Sequence, residues 1–90
     1  MNTKYEINTI IEVNELDNEL VIIIPQNEKI FYCNKLAKDI FCGVRDGMSI
    51  SQIINSLLIK YGVDEEILKI DVEETLKKFV DFHIIIQGVK

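Results

Sequence analysis

Between Lys29 and Cys42 the apolar period of the chain changes at one residue, and that change fixes the order of everything around it. Before Asn34, the residues Ile30, Phe31, Tyr32 and Cys33 are β-branched, aromatic or small, as strands prefer. After it, Leu36, Ala37, Ile40 and Phe41 recur at helical spacing. Asn34 stands where a helix N-cap belongs, its side-chain oxygen placed to accept from the backbone N–H of Leu36 or Ala37. The junction predicts a strand over Lys29–Cys33 and a helix from Lys35.

Upstream, two further strands complete an antiparallel meander. Ile10 to Leu16 alternates, with Ile11 and Val13 on one face and Glu12 and Asn14 on the other. Asp17-Asn18 makes a tight turn, since both residues tolerate positive φ. Leu20 to Ile24 is apolar without alternation, which suits a middle strand bonded on both edges and largely covered. Pro25 has no N–H for a ladder and ends that strand.

Downstream the pattern is helical. The first helix is expected from Lys35 to about Cys42, with Gly43 ending it and Arg45-Asp46-Gly47 turning the chain. Ser49 and Gln52 have the spacing of a capping box and open a second helix, Ile50 to Tyr61, with Ile53, Ile54, Leu57 and Leu58 inward and Gly62 beyond its end. Asp64 caps a third helix running to about Phe82, and Glu65 and Glu66 in its first turn suit the helix dipole. On that helix Leu68, Val72, Thr75, Leu76 and Phe79 form the core stripe, while Ile67 and Ile70 lie off it beside Glu74, Lys77 and Lys78. Ile84-Ile85-Ile86 is a short closing tail or strand. The fold class is α+β: a three-stranded antiparallel sheet followed by three helices, βββααα, in a winged-helix-like arrangement. Ninety residues make one domain spanning 1–90, with its core over about 10–86.

Several function classes are disfavoured. A winged helix invites a DNA-binding reading, but the segment from Asp64 to Asp81 carries seven acids against three lysines. With a net charge of −5 overall, the field repels phosphate and anionic lipid alike, so neither nucleic acid nor membrane is expected as a partner. No apolar run approaches the length of a membrane span, and the N-terminus lacks a signal-peptide pattern, which points to the cytoplasm. His83 is the only histidine, and Cys33 and Cys42 lie nine residues apart without further ligands at metal spacing, so no metal site is expected. There is no Gly-rich phosphate loop, no cofactor signature and no nucleophile–base set. The chain reads as a binding protein and not an enzyme.

The order and spacing resemble the PqqD-like family, the precursor-peptide recognition element of ribosomally made, post-translationally modified peptides. The matching features are the hairpin Asn18-Glu19-Leu20-Val21-Ile22, the strand ending in Cys33-Asn34 where the family usually has Leu-Asn, and Ala37 with Ile40-Phe41. Asp46-Gly47-Met48-Ser49-Ile50-Ser51-Gln52-Ile53 is similar to the family's "dG-x-t-v-x-e-i" segment, and Leu58, Tyr61 and Val63 follow it. Asp71-Val72 to Phe79 with Ile84-Ile85 is similar to "D-v-x-x-f-L-x-x-L-x-x-x-G-l-l". Two positions depart: Cys33 replaces Leu, and His83 stands where Gly is expected.

The resemblance implies that the leader region of a precursor peptide adds as a strand to the third strand, beside the third helix. The peptide-binding residues would be Lys29, Ile30, Phe31, Tyr32, Cys33, Ile67, Ile70, Asp71, Glu74 and Lys78. It also implies delivery to a separate modifying enzyme: a radical-SAM maturase, a leader peptidase of lasso-type machinery, or a cyclase. The third strand of a meander is an edge and can accept an extended peptide. The same edge could join two copies as a homodimer. The alternative readings are a winged-helix transcriptional regulator or a protein-interaction subunit.

Overall fold

The computed structural model describes residues 3–17 and 19–87. Its elements are β1 (Tyr5–Ile7), β2 (Glu12–Leu16), β3 (Glu19–Ile24), β4 (Lys29–Cys33), α1 (Lys35–Arg45), α2 (Ile50–Tyr61), α3 (Glu65–Asp81) and β5 (Ile85–Gln87). β2, β3 and β4 form an antiparallel sheet with β3 in the middle, followed by the three helices. This is the βββααα order expected from the sequence.

The local signals act where they were read. Asn34 Oδ1 accepts from the Ala37 N–H at 2.8 Å and starts α1. Ser49 and Gln52 exchange both bonds of a capping box at the start of α2. Asp64 accepts from the N–H groups of Glu66 and Ile67 at the start of α3. Gly62 closes α2 at φ 62°. Of the predicted Asp17-Asn18 turn, Asp17 adopts φ 51°, and Asn18 lies outside the described residues.

Four details differ from the sequence reading. Strand β2 begins at Glu12 and not Ile10, because Asn8 holds the preceding turn: its Oδ1 accepts from the Ile10 N–H at 3.3 Å. Helix α1 runs through Gly43 to Arg45. A Cβ at Gly43 would stand 2.8 Å from Ile53 Cγ1, so this glycine permits close approach of α1 and α2 and does not stop the helix. β3 is bonded on both edges but covered on one face only: Leu20, Ile22 and Ile24 are fully buried, and Val21 and Ile23 are half-buried on the other face. The fourth is a pairing the sequence did not reveal. β1 pairs antiparallel with β5, Glu6 opposite Ile86, tying the two ends of the chain together.

The core lies between the inner face of the sheet and the helices. Phe41, Phe79, Ile40, Val72 and Ile84 join the three β3 residues in full burial. The α3 stripe of Leu68, Val72, Leu76 and Phe79 is buried as expected, with Thr75 half-buried. His83, where a glycine is usual in the resembling family, takes φ 61°, so the left-handed turn is kept without glycine. The Asn8 side-chain N–H₂ donates to the His83 carbonyl at 2.9 Å and supports that turn.

Candidate functional site

The open edge of β4 is the centre of the candidate site. β3 occupies one side of β4, and among the described residues no strand pairs with the other. The register shows which backbone groups face outward. Leu16 and Glu19 flank a two-residue connection, so they are its hydrogen-bonded closing pair. Bonded and non-bonded pairs alternate across an antiparallel ladder, so Val21 and Ile23 turn their N–H and C=O groups to β2, while Leu20, Ile22 and Ile24 turn theirs to β4. Their β4 partners are Cys33, Phe31 and Lys29. The two residues between, Ile30 and Tyr32, therefore direct their backbone groups to the free edge.

Side chains follow the same alternation. Lys29, Phe31 and Cys33 lie on the inner face opposite the three buried β3 residues. Cys33 is buried, and its thiol is pushed up to about 11 by desolvation and then by the neighbouring Cys42, so it is neutral and inert at ordinary pH. With its thiol buried and its backbone groups turned to β3, Cys33 backs the open edge and does not line it. Ile30 and Tyr32 stand on the outer face, 51% and 73% exposed.

Aromatic contacts set α3 against this strand. The Phe31 ring meets Phe79 and Phe82 edge-on, with centroids 5.4 and 5.2 Å apart, and Lys29 Nζ sits 5.3 Å from the centroid of Phe82. At the other end, Leu68 and Asp71 share a cavity with Asn34, Lys35 and Leu36. The C-terminal part of α3 thus lies by the start of β4 and its N-terminal part beyond the end of β4: the two elements run antiparallel. Asp71, Lys78 and Phe82 fall within about 40° of one another around the helix and form its β4-facing flank.

Asp71 thus stands at the cavity past the end of β4, and Lys78 lies on the same flank of α3, one turn before Phe82. Ile67 lies about 40° from Asp71 on the outer lip, and Glu74 about 60° from it. Ile70 stands about 100° from Asp71, nearly opposite the buried stripe, and is 55% exposed.

A cavity of about 370 Å³ just past the end of β4, between the start of α1, the end of α2 and α3, was not visible in the sequence as a site. Leu36, Tyr61, Val63 and Leu68 supply its apolar walls, and Asn34, Lys35 and Asp71 its polar rim. In the sequence these wall residues are helix or turn positions, and only the packing of α3 against α1 and α2 gathers them. Tyr61 is fixed by its hydroxyl donating to Asp39 Oδ2, and Lys60 Nζ approaches the same carboxylate at 3.1 Å. Desolvation, the hydrogen bond to Asp39 and the charge of Asp39 push the Tyr61 hydroxyl up to about 12, so it stays a neutral donor. Among the described residues no group of three His, Cys, Asp or Glu could hold a metal ion, and no helix is long and apolar enough to cross a membrane.

Comparison with known proteins gives a fold. No protein-family profile matches the chain, and no curated protein matches it. Two solved structures superpose over nearly their whole length. One is TbiB1 in complex with the TbiA(beta) leader peptide, with a TM-score of 0.86 at 16% identity, over 94% of this chain and 99% of that one. The other is a lasso peptide synthetase B1 complexed with the leader peptide, with a TM-score of 0.83 at 17% identity, over 92% of this chain and 98% of that one. The chain has the fold of these two leader-bound proteins.

Proposed function

We propose that this chain is a non-catalytic binding protein that captures the leader segment of a ribosomally made precursor peptide as a strand on the free edge of β4. It then delivers that peptide, in the cytoplasm, to a separate modifying enzyme such as a leader peptidase, radical-SAM maturase or cyclase. The observation that carries the reading is the β4 edge, unpaired among the described residues, with Ile30 and Tyr32 presenting backbone groups outward and an apolar cavity just past the end of the strand. Two proteins of the same fold at low identity are known with leader peptides bound, which supports the same ligand class here.

Mechanically, the added strand would place alternate side chains beneath the sheet, toward Phe31, Phe82 and the cavity. The others would lie beside Ile30 and Tyr32 on the outer face. Asp71 and Lys78 would meet polar side chains of the peptide, and Ile67 would form the lip. Glu74 and Ile70 would be reached by a peptide that rises over that lip. Main-chain bonds give affinity with little sequence demand, and the cavity gives selectivity.

The test is a titration of fluorescently labelled synthetic leaders from the short open reading frames found beside this gene, with the core segment of each as control. Binding of the leader and not of the core is expected; equal or absent binding of both would overturn the reading. The open edge also suits pairing with its counterpart in a second copy. Such a dimer would dissociate as leader is added, a change that sedimentation velocity reads directly.

A further inference from the structure

The sheet has a second open edge. β2 pairs with β3 on one side, and among the described residues no strand pairs with the other. The alternation that turns Ile30 and Tyr32 outward on β4 applies here too. Glu12, Asn14 and Leu16 bond to β3, so Val13 and Glu15 direct their backbone N–H and C=O groups to the free edge. All five residues of β2 are exposed, Val13 and Leu16 among them.

The two edges differ in charge. From Tyr5 to Glu28 the chain holds six acids and no lysine or arginine. Four of the acids, Glu12, Glu15, Asp17 and Glu19, lie on β2, in the turn after it or at the start of β3. Helix α1 brings two cations to them: Arg45 pairs with Glu15 at 3.5 Å, and Lys38 Nζ donates to the Asp17 carbonyl at 3.2 Å. Glu12, Asp17 and Glu19 make no ion pair among the described residues. On β4, by contrast, the two outward residues, Ile30 and Tyr32, are uncharged. Like charges on facing strands destabilise their pairing, so two copies cannot join β2 to β2 without setting acid against acid. The same acids favour a strand that carries lysine or arginine.

We infer that β2 is a docking edge for a basic strand or extended loop of the separate modifying enzyme, occupied at the same time as leader on β4. This inference rests on the proposed leader binding, because delivery needs an enzyme contact that the leader leaves free. Strands in a sheet stand about 4.8 Å apart. In the order leader, β4, β3, β2, enzyme strand, the two ligands lie about 19 Å apart and do not collide. Main-chain bonds at Val13 and Glu15 hold the enzyme strand, and its cations meet the acids of the hairpin.

The probes are the purified products of any leader-peptidase, radical-SAM or cyclase gene beside this one, each titrated with and without labelled leader. The unaltered chain is compared with Val13→Pro and with the double variant Glu12→Lys/Glu19→Lys. The Val13 N–H faces away from β3, so proline removes no bond of the β2–β3 ladder, and urea unfolding checks that each variant is folded. The unaltered chain should bind one enzyme, more weakly as salt rises, and hold leader and enzyme together. Val13→Pro should weaken enzyme binding tenfold or more. The charge reversal should weaken it about three- to tenfold and flatten its salt dependence. Both variants should bind leader within twofold of the unaltered chain. Enzyme binding that is unchanged in both variants, or that leader displaces, overturns the inference. So does self-association that Val13→Pro abolishes, which would give the edge to a second copy. Leader binding without binding of any enzyme removes this inference alone, and absence of leader binding removes the proposed function.

Discussion

Replacing Tyr32 with proline separates the free edge of β4 from the strand as a folded element. The Tyr32 N–H points away from β3, so Tyr32→Pro breaks no bond of the β3–β4 ladder, and proline is tolerated on an edge strand in that orientation. The side chain is 73% exposed, so its loss leaves no cavity in the core. The folding cost should therefore stay below about 1 kcal/mol. Binding should suffer more. An added strand loses one ladder bond, worth about 1 kcal/mol, and one of its carbonyls is left without a donor at a further cost of about 1–2 kcal/mol. The sum, about 2–3 kcal/mol, is a loss of roughly 30- to 150-fold in affinity. Fluorescence anisotropy with the labelled leader measures the affinity, and urea unfolding measures the stability. Tyr32→Ala is the control: it keeps the N–H and loses only an exposed cross-strand contact of about 0.2–1 kcal/mol. A folded Tyr32→Pro protein that binds the leader within twofold of the unaltered chain would refute strand addition at this edge.

Three further substitutions probe the frame that holds the site. Gly43→Ala gains helix propensity but drives a Cβ to 2.8 Å from Ile53 Cγ1 in a buried contact, so urea unfolding should show a net loss of about 0.5–2 kcal/mol. His83→Gly relieves the positive φ of 61° and should raise stability by about 0.5–1 kcal/mol; a loss would show that the side chain holds the turn. For Tyr61, the folded hydroxyl titrates near 12 against an ordinary value of 10, so the folded state keeps its proton longer than the unfolded chain does. Its stabilisation is complete below pH 10 and is lost as pH rises through about 12. The Cys33 thiol acts with the same sign between 9 and about 11. The informative quantity is thus the difference between the unaltered chain and Tyr61→Phe: the unaltered chain should show the steeper loss of urea midpoint above pH 10.

What the sequence reveals and what it hides divide by range. Asn34, the Ser49–Gln52 box and Asp64 act on backbone groups two or three residues away, so their helix starts are written locally. Gly43 shows where local reading fails. A glycine near a helix end commonly marks a stop, but here contact with Ile53 on another helix decides, and α1 continues. The pairing of β1 with β5 joins Tyr5 to Gln87 across most of the chain, and three-residue strands carry no period of their own. At the site, β4 was legible because a third meander strand must be an edge. The outward parity of Ile30 and Tyr32 needs the register of β4 on β3 as well as the short connection after Leu16. The cavity was not legible: Leu36, Tyr61, Val63 and Leu68 come from α1, α2, the loop after it and α3, and meet only in the folded chain.

Amide hydrogen exchange along β4 with and without the leader reads the proposed strand addition residue by residue. In the free protein the Phe31 N–H, bonded to β3, should exchange slowly, and the Ile30 and Tyr32 N–H groups, facing the open edge, should exchange fast. Saturating leader should slow Ile30 and Tyr32 by an order of magnitude or more and leave the backbone groups of β2 unchanged. Leader binding that leaves Ile30 and Tyr32 exchanging as fast as before would show that the peptide docks elsewhere.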